Sequence, residues 1–177
     1  MNQPNRILVF QTAFLGDVIL TLPLVQVLHR KLPDAKIDFL TTPRAAEILR
    51  NHPAIHTVLE YDKRGEQRGV RGLLSISRLL RSFRYDVALV PHRSLRSAAV
   101  VAMSGIPIRV GFNNSAGRFL YTDIVAYEKN SHETKRNLAF LKIFNIKSSE
   151  GEFPSLYPSN EDTGVIDQFL TQNKILQ

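Results

Sequence analysis

The sequence contains no cysteine. This excludes a disulfide framework, a thiolate metal site and a cysteine nucleophile, and it fits a reducing cytoplasm. Long hydrophobic runs are missing too: the longest mostly apolar stretch, residues 18–28, is interrupted by two polar residues and a proline and is too short to cross a bilayer. No signal peptide is evident before the first apolar run, so we expect a cytoplasmic protein.

The usual metal and nucleotide motifs are also missing. His52 and His56 lie four residues apart, but Pro53 breaks the helix that a zinc pair would need, so we expect no metal and no other cofactor. The turn at Gly16 has one glycine where a dinucleotide fingerprint needs three, and no Gly-Lys-Ser/Thr follows it. Neither common phosphate-binding loop is therefore present at this turn.

The chain does have the composition of a globular domain. Its 177 residues are 44% hydrophobic and 22% charged, enough for one domain with its own core. The net charge of +7 favours polyanionic partners such as phosphorylated sugars, nucleotides or an anionic membrane. The alternative is a soluble protein whose surface is simply basic.

Short β-branched runs alternate with helical patterns, which predicts a Rossmann-like α/β fold: a parallel sheet with helices on both faces. Pro23 predicts a kink in the first helix or a late start near Leu22. The predicted strands are Ile7–Gln11, Lys36–Thr41, His56–Tyr61, Asp86–Pro91, Arg109–Phe112 and Asp123–Tyr127. The predicted helices are Val18–Lys31, Ala45–Asn51, Val70–Phe83, Ser97–Ser104, Ser131–Phe144 and Glu161–Gln172.

The helix predicted over Val70–Phe83 has the clearest pattern. Four apolar residues at 3-4-3 spacing predict one buried stripe: Leu73, Ile76, Leu80 and Phe83. Three arginines fall on the opposite side, which we expect to be an ordinary solvated face: Arg71, Arg78 and Arg81. A polar break over Lys147–Pro154 separates this part of the chain from the last predicted helix.

The most informative stretch runs from Arg6 to Val18. An apolar β run ends there, Gly16 follows, and Asp17 stands where the next helix should begin. In an open α/β sheet this place is the carboxyl end of the first strand, where ligands bind. Asp17 can cap the helix or receive a proton from a substrate, and the residues alone leave both roles open.

Basic residues gather in the segments that follow the predicted strands, at the same edge as Asp17. Charge of one sign along one edge indicates an anion site, for which arginine suits phosphate, and a solvated surface is the alternative. The candidates are Lys63, Arg64, His92, Arg93 and Arg118. Further on, Asn130 and Glu133 predict a capping box. His132 and Arg136, four residues apart, share a face near this helix N-terminus, an end that attracts anions; the alternative is a surface histidine and an arginine that pairs with Glu133.

Several short segments follow one another in a characteristic order along the chain: Leu15–Val18, Thr21–Leu24, Leu32–Asp38, Leu49–Pro53, Val58–Asp62, Tyr85–Ser94, Gly105–Phe112, and His132 with Arg136. Their order and spacing resemble the N-terminal half of the ADP-heptose:lipopolysaccharide heptosyltransferases, glycosyltransferase family 9. The resemblance implies a GT-B enzyme with two Rossmann-like domains. It also implies transfer that inverts the anomeric centre and uses no metal.

The resemblance further implies roles for individual residues. Asp17 would be the general base, and Lys63 or Arg64, Arg118, His132 and Arg136 would hold the phosphates of a lipid A–Kdo core acceptor. Thr12 supplies the hydroxyl that many members carry at the position of Ala13, and we add His92 and Arg93 as acceptor-binding candidates.

From the same resemblance we expect residues 1–153 to form the acceptor-binding domain. Residues 154–177 would be a linker and helix leading to a nucleotide-sugar domain outside this chain, which alone would be inactive. The implied location is the anionic inner face of the inner membrane, and we expect no nucleic acid partner. The alternatives are another GT-B glycosyltransferase and a non-enzymatic basic module that binds anions.

Overall fold

The computed structural model of the protein describes residues 3–148 and 151–173. Its centre is a six-stranded sheet in which every neighbouring pair of strands is parallel. The strands are β1 (Arg6–Phe10), β2 (Lys36–Thr41), β3 (Thr57–Glu60), β4 (Val87–Val90), β5 (Ile108–Phe112) and β6 (Asp123–Val125). Their order across the sheet is β3-β2-β1-β4-β5-β6, so the order reverses beside β1.

Helices cover both faces of this sheet, and the predicted α/β fold is confirmed. The α-helices are α1 (Leu15–Ile19), α2 (Leu22–Lys31), α3 (Pro43–Ala46), α4 (Gly69–Phe83), α5 (Leu95–Met103), α6 (Glu133–Leu138) and α7 (Asn160–Gln172). Three segments form 3₁₀ turns: Glu47–Leu49, Arg118–Leu120 and Ala139–Phe144.

The predicted first helix, Val18–Lys31, is two helices. Pro23 is the second residue of α2, where its missing N–H costs no helical hydrogen bond. The expected late start at Leu22 is therefore confirmed, while Val18 belongs to the separate helix α1. The predicted helices Ala45–Asn51 and Ser131–Phe144 are α-helical only in part, because each continues as a 3₁₀ turn.

The predicted capping box of Asn130 and Glu133 is wrong. Helix α6 begins at Glu133, and His132 is its N-cap: the N–H of Thr134 donates to His132 Nδ1 at 3.3 Å. The Glu133 carboxylate pairs instead with the guanidinium of Arg136. An imidazole nitrogen has thus taken the acceptor role that the pattern assigned to an asparagine two residues earlier.

Two cores lie on opposite faces of the sheet because side chains alternate along each strand. In β1, Ile7 and Val9 join the core beneath α2, while Leu8 and Phe10 join the core beneath α4 and α5. The predicted stripe of α4 is confirmed: Ile76 and Leu80 are buried, with Leu73 and Phe83 packed beside them. Arg71, Arg78 and Arg81 are exposed, as expected.

At the amino-terminal ends of the strands, a polar network surrounds Asp38. Its carboxylate has no exposed surface and accepts bonds from Arg6 Nε at 2.8 Å and Tyr85 Oη at 2.7 Å. His56 Nδ1 lies 3.2 Å from the other oxygen. Burial, followed by the bond to Asp38, raises the pKa of Tyr85. The neighbouring Asp86 accepts the backbone N–H of Arg6 at 2.9 Å.

The chain returns to α2 after the predicted break. Glu152 forms an ion pair with Arg30 at 2.6 Å, and Ser155 exchanges hydrogen bonds of 3.2 Å with Gln26. Helix α7 follows, with an exposed apolar side. Ser149 and Glu150 of the break, and residues 174–177 of the predicted last segment, lie outside the described residues. No helix among residues 3–148 and 151–173 combines the length and apolarity needed to span a bilayer.

Candidate functional site

The loops after β1 and β4 meet at the point where the strand order reverses. In open α/β sheets, ligands bind in the crevice at this point, beyond the carboxyl ends of the strands. Here the loop after β1 carries Gln11–Phe14, and the loop after β4 carries Pro91–Ser94. The predicted site residues Thr12, His92 and Arg93 are therefore at the place where the topology puts ligands.

A chain of hydrogen bonds joins the loops after β1, β3 and β4. Lys63 Nζ donates to the Thr12 carbonyl oxygen at 2.6 Å and to Thr12 Oγ1 at 3.2 Å. Thr12 Oγ1 lies 3.2 Å from His92 Nδ1, which lies 2.8 Å from Ser97 Oγ. Because an ammonium group only donates, the Thr12 hydroxyl accepts from Lys63 and is left free to donate to His92.

Burial determines the charge of this chain of groups. It lowers the pKa of His92 to about 4, helped by the nearby positive charges of Lys63 and Arg93. Burial also lowers the pKa of Lys63, with Arg64 and Arg96 adding to the effect. His92 is therefore neutral at pH 7, so it serves this edge as a hydrogen-bonding group and contributes no positive charge.

Asp17 lies at the third position of α1. The N-cap is Phe14, whose N–H donates to Asp17 Oδ2 at 3.1 Å. The interpretation of Asp17 as the N-cap is thus corrected: the helix begins two residues before it, and its carboxylate reaches back to the cap. Among the described residues Asp17 Oδ1 has no hydrogen-bond partner, and the side chain is partly exposed. One carboxylate oxygen is held and the other is free to accept a bond.

A buried amide from α6 anchors the junction between α1 and α2. The Asp17 carbonyl oxygen accepts the Thr21 hydroxyl at 2.7 Å. Asn137 Nδ2 donates to Thr21 Oγ1 at 3.2 Å and to the Leu20 carbonyl at 3.1 Å. Both Thr21 and Asn137 are fully buried. The backbone that carries Asp17 is therefore held by a residue more than a hundred positions away, which the sequence analysis missed.

An open cleft of about 450 Å³ lies between the loops after β1, β2 and β3. Its cations are Arg44, Lys63 and Arg64, and its one lining carboxylate is Asp62. Asp62 is engaged in its own turn, where it accepts the Gly65 N–H at 2.8 Å. Three cations against one carboxylate leave the lining of this cleft with net positive charge. Arg44 was missed by the sequence analysis, although it follows a predicted strand as the other candidates do.

Arg96 has a structural role in this region. Its Nη2 donates to the carbonyl oxygens of Gln67 and Gly69, each at 2.9 Å, and its Nε donates to the Tyr61 hydroxyl. These bonds tie the loop after β3 to α5, and so they fix the segment that carries Lys63 and Arg64. Two of the three guanidinium nitrogens of Arg96 are thus committed to this contact.

The remaining cations lie past β4, around Tyr127. The guanidinium carbons of Arg93 and Arg136 are 4.5 Å and 4.6 Å from the centre of the Tyr127 ring. Arg136 also pairs with Glu133 and donates to the Ser131 carbonyl at 2.8 Å. The structure brings Arg93 and Arg136 together on the Tyr127 ring. The sequence analysis missed Tyr127 because this residue carries no charge.

His132 and Arg118 are two further predicted residues past β4. Both are exposed, His132 as the cap of α6 and Arg118 in the 3₁₀ turn after β5. The Arg118 side chain makes no hydrogen bond with the part of the chain that the structure describes. Within that part, no three His, Asp or Glu side chains group as metal ligands would.

Comparison with known proteins gives a consistent identification. The model of glycosyltransferase family 9 (heptosyltransferase) matches residues 73–161, which is half of the chain. Lipopolysaccharide heptosyltransferase 2 of Escherichia coli K12 is 29% identical over 133 residues, covering 70% of this chain and 36% of that protein.

Two solved structures share the fold. The family 9 glycosyl transferase of Veillonella parvula has a TM-score of 0.88 at 20% identity, covering 100% of this chain and 51% of that one. The E. coli ADP-heptose lipopolysaccharide heptosyltransferase II has a TM-score of 0.74 at 24% identity, covering 93% and 50%. The chain spans about half the length of these solved proteins. On the evidence of its family match and its fold, it belongs to glycosyltransferase family 9.

Proposed function

We propose that this chain is the acceptor-binding part of an inverting, metal-independent heptosyltransferase. The reaction moves heptose from ADP-heptose to the inner core of lipopolysaccharide. One observation carries the proposal: in a family 9 chain, the half-free carboxylate of Asp17 lies beside the crevice where the strand order reverses. Unbalanced cations surround that crevice, which suits a phosphorylated acceptor.

Asp17 is the general base in this reaction. Its Oδ1 takes the proton of the acceptor hydroxyl as that oxygen attacks the anomeric carbon of heptose. The new C–O bond forms on one face of the sugar while the bond to the phosphate oxygen breaks on the other, and ADP leaves with the electron pair. Attack opposite the leaving group inverts the anomeric centre. The bond from Phe14 to Oδ2 keeps the carboxylate aimed during the transfer.

Two groups of cations hold the acceptor. Lys63, Arg64 and Arg44 line the cleft beside β1, and Arg93, Arg136 and Arg118 lie past β4. His132 lies with the second group as a hydrogen-bonding residue, since its Nδ1 accepts the Thr134 N–H. Thr12 and the neutral His92 lie between these groups and offer hydrogen bonds without charge. The arrangement fits an acceptor with more than one phosphate, because the two groups are separate and both face the same edge.

The donor is held by another part of the enzyme. In this proposal residues 1–153 form the acceptor-binding domain, and residues 154–177 lead toward a nucleotide-sugar domain. The chain by itself therefore binds the acceptor and transfers no heptose. The acceptor is a lipid, so the enzyme works on the cytoplasmic face of an anionic membrane.

Isothermal titration of the chain with a phosphorylated Kdo-containing inner-core oligosaccharide tests the proposal. We expect binding that weakens at least tenfold when the phosphates are removed or when Lys63→Gln and Arg64→Gln are combined. Lys31→Gln combined with Lys36→Gln, at the exposed end of α2 and start of β2, removes the same charge where the strands begin; this matched control should leave binding unchanged.

Three outcomes would overturn the proposal. An affinity that does not change when the phosphates are removed would contradict the acceptor assignment. An equal affinity for generic RNA would favour a non-enzymatic anion-binding module. Heptose transfer by this chain alone would contradict the proposal that the donor is bound by another part of the enzyme.

A further inference from the structure

The exposed side of α4 and its two flanking residues carry charge of one sign. No acidic residue occurs between Gln67 and Tyr85, while five arginines do: Arg68, Arg71, Arg78, Arg81 and Arg84. All five are exposed. None of them forms an ion pair with the residues that the structure describes. The helix is about 22 Å long at 1.5 Å per residue, so the arginines form a cationic strip rather than a single point.

Exposed aliphatic side chains border these arginines, with Val70 and Leu79 on opposite margins of the exposed side of α4. Val70 is 72% exposed, Leu79 is 42% exposed, and Met103 at the end of α5 is 41% exposed. Arg81 donates to the Met103 carbonyl at 2.6 Å, which places Met103 beside the strip. The core takes its contacts from the opposite side of α4, through Ile76 and Leu80. These exposed aliphatics are thus not needed to hold the helix on the sheet.

We propose that this surface binds an anionic lipid bilayer. We call it the α4 surface, and it consists of Arg68, Val70, Arg71, Arg78, Leu79, Arg81, Arg84 and Met103. Arginine guanidinium groups pair with lipid phosphates, while the aliphatic side chains lie at the boundary between headgroups and acyl chains. The apolar face of α4 packs on the sheet, so the surface would bind the membrane through its arginines, with the few exposed aliphatics reaching the headgroup region.

The same residues fit a nucleic acid less well. Single-stranded nucleic acid is usually held by aromatic side chains on which the bases stack, and the exposed side of α4 has none. Phe83, the aromatic residue of this helix, packs into the core instead. Val70, Leu79 and Met103 would offer a polynucleotide neither a stacking platform nor a hydrogen bond.

The α4 surface adjoins the proposed acceptor cleft. Arg64 lines that cleft, and α4 begins at Gly69, whose carbonyl oxygen is fixed by Arg96. A membrane on the α4 surface would therefore hold a lipid-linked acceptor beside the cleft. This last step rests on the proposed function, whereas lipid binding by the α4 surface does not.

Co-sedimentation of the 177-residue chain with lipid vesicles at 0.15 M salt tests the proposal. We expect binding to vesicles of phosphatidylcholine with about one third phosphatidylglycerol, and little binding to phosphatidylcholine alone. Combining Arg68→Gln, Arg71→Gln and Arg78→Gln should weaken binding on the order of a hundredfold, because each arginine at an anionic surface contributes about a factor of five. The side chains of these three residues make no hydrogen bonds with the described residues, so their loss leaves the fold intact.

A matched variant removes the same charge elsewhere. Lys31→Gln, Lys142→Gln and Lys147→Gln lower the net charge equally, and Lys31 and Lys142 lie on elements that pack on the opposite face of the sheet. This variant should retain most of the binding. Equal losses of vesicle binding in the two triple variants would overturn the proposal that the α4 surface binds lipid, since net charge alone would then explain the attraction.

Insertion of the α4 surface into the bilayer can be followed separately by the fluorescence of an introduced tryptophan, because the chain itself contains none. Val70→Trp should show a blue-shifted emission with anionic vesicles, and Ile124→Trp, an exposed control on β6, should show none. Tight RNA binding that the arginine variant abolishes, with no vesicle binding by the parent chain, would overturn the proposal in favour of a nucleic acid surface. Neither readout requires heptose transfer, so failure of the glycosyltransferase proposal would leave this test unaffected.

Discussion

The two ends of the parallel strands carry the same kinds of charged residue but use them differently. We call the side of the sheet where the strands begin the amino edge and the side where they end the carboxyl edge. At the amino edge, Asp38 is fully buried and is surrounded by Arg6, Tyr85 and His56. At the carboxyl edge, Asp17 has one bonded oxygen and one free oxygen within the described chain. Arg44, Arg64, Arg93 and Arg118 make no side-chain hydrogen bonds with the residues that the structure describes.

The contrast separates structural charges from functional ones. A buried carboxylate that lacked partners would cost several kcal/mol, and at the amino edge both oxygens of Asp38 have hydrogen-bond partners. The carboxyl edge leaves bonding capacity unused within the chain, which is how a fold holds groups ready for a ligand. The amino edge should therefore control stability and the carboxyl edge should control binding and turnover.

The largest expected effect is on turnover at the carboxyl edge. In a protein that joins this chain to a donor-binding half, Asp17→Asn should lower the heptose transfer rate about 10²- to 10⁴-fold by removing the base. The unfolding free energy should change by less than about 1 kcal/mol, because an asparagine oxygen can still accept the Phe14 N–H. Asp34→Asn, in an exposed turn, is the control. Transfer within tenfold of the parent rate would leave Asp17 as a helix-capping group only.

The second effect is on stability at the amino edge. Asp38→Ala should lower the unfolding free energy by about 3–5 kcal/mol, because it leaves a guanidinium and a buried phenol without their acceptor. Glu60→Ala, which breaks an exposed pair with Arg50, should cost about 0–1 kcal/mol. Urea unfolding measures both. A loss below 1 kcal/mol for Asp38→Ala would erase the distinction between the edges.

The third effect is a pH dependence at the carboxyl edge. His92 gains its proton near pH 4 in the folded chain because burial lowers its pKa from 6.5. Between these values the unfolded chain binds more protons, so His92 makes the protein less stable as the pH falls from 6.5 to 4, by roughly 3 kcal/mol in full.

Replacing this histidine tests the sign of that contribution. His92→Gln should lose less stability than the parent chain between pH 7 and pH 4.5, and urea unfolding at the two pH values measures the difference. His52, whose pKa burial also lowers, is present in both chains and cancels. Parallel losses in the two chains would mean that His92 titrates normally.

The smallest effect concerns the aromatic support of the second group of cations. Tyr127→Leu removes the ring beside Arg93 and Arg136 and should weaken acceptor binding about five- to thirtyfold, at roughly 0.5–1 kcal/mol for each of the two cation–π contacts. Tyr127→Phe keeps the ring and should bind like the parent chain in isothermal titration. If the phenylalanine variant binds as weakly as the leucine variant, the hydroxyl carries the effect and the ring does not.

Most of the fold could be predicted from local patterns. Apolar runs predicted all six strands to within two residues. The pattern is clearest in β1 and β4, because strands buried on both faces are apolar almost throughout. The start of Asp17's helix could not be fixed, since Gly16 and Asp17 are both acceptable near a helix start and only the extended backbone of Phe14 settles the boundary. The order of the strands depends on pairing between distant segments, which no local pattern encodes.

The candidate site was predictable in position and less so in its bonding. The rule that ligands bind beyond strand ends predicted Lys63 and His92 at the carboxyl ends of the strands, where the structure has both beside Thr12. It could not show that burial keeps His92 neutral, nor that Asn137 holds the Asp17 helix across 117 positions. Such partners are fixed by tertiary packing, and Arg136 shows the same point by pairing with Glu133 while resting against Tyr127.

Chemical-shift mapping of the chain with a phosphorylated inner-core oligosaccharide tests the contrast between the edges most directly. The account predicts perturbed backbone signals over Thr12–Asp17, Lys63–Arg64, His92–Arg93 and Tyr127–Arg136, with unchanged signals at Arg6, Asp38, Tyr85 and Asp86. Perturbations centred on the amino edge, or none at either edge at millimolar ligand, would contradict the assignment of the carboxyl edge as the acceptor site.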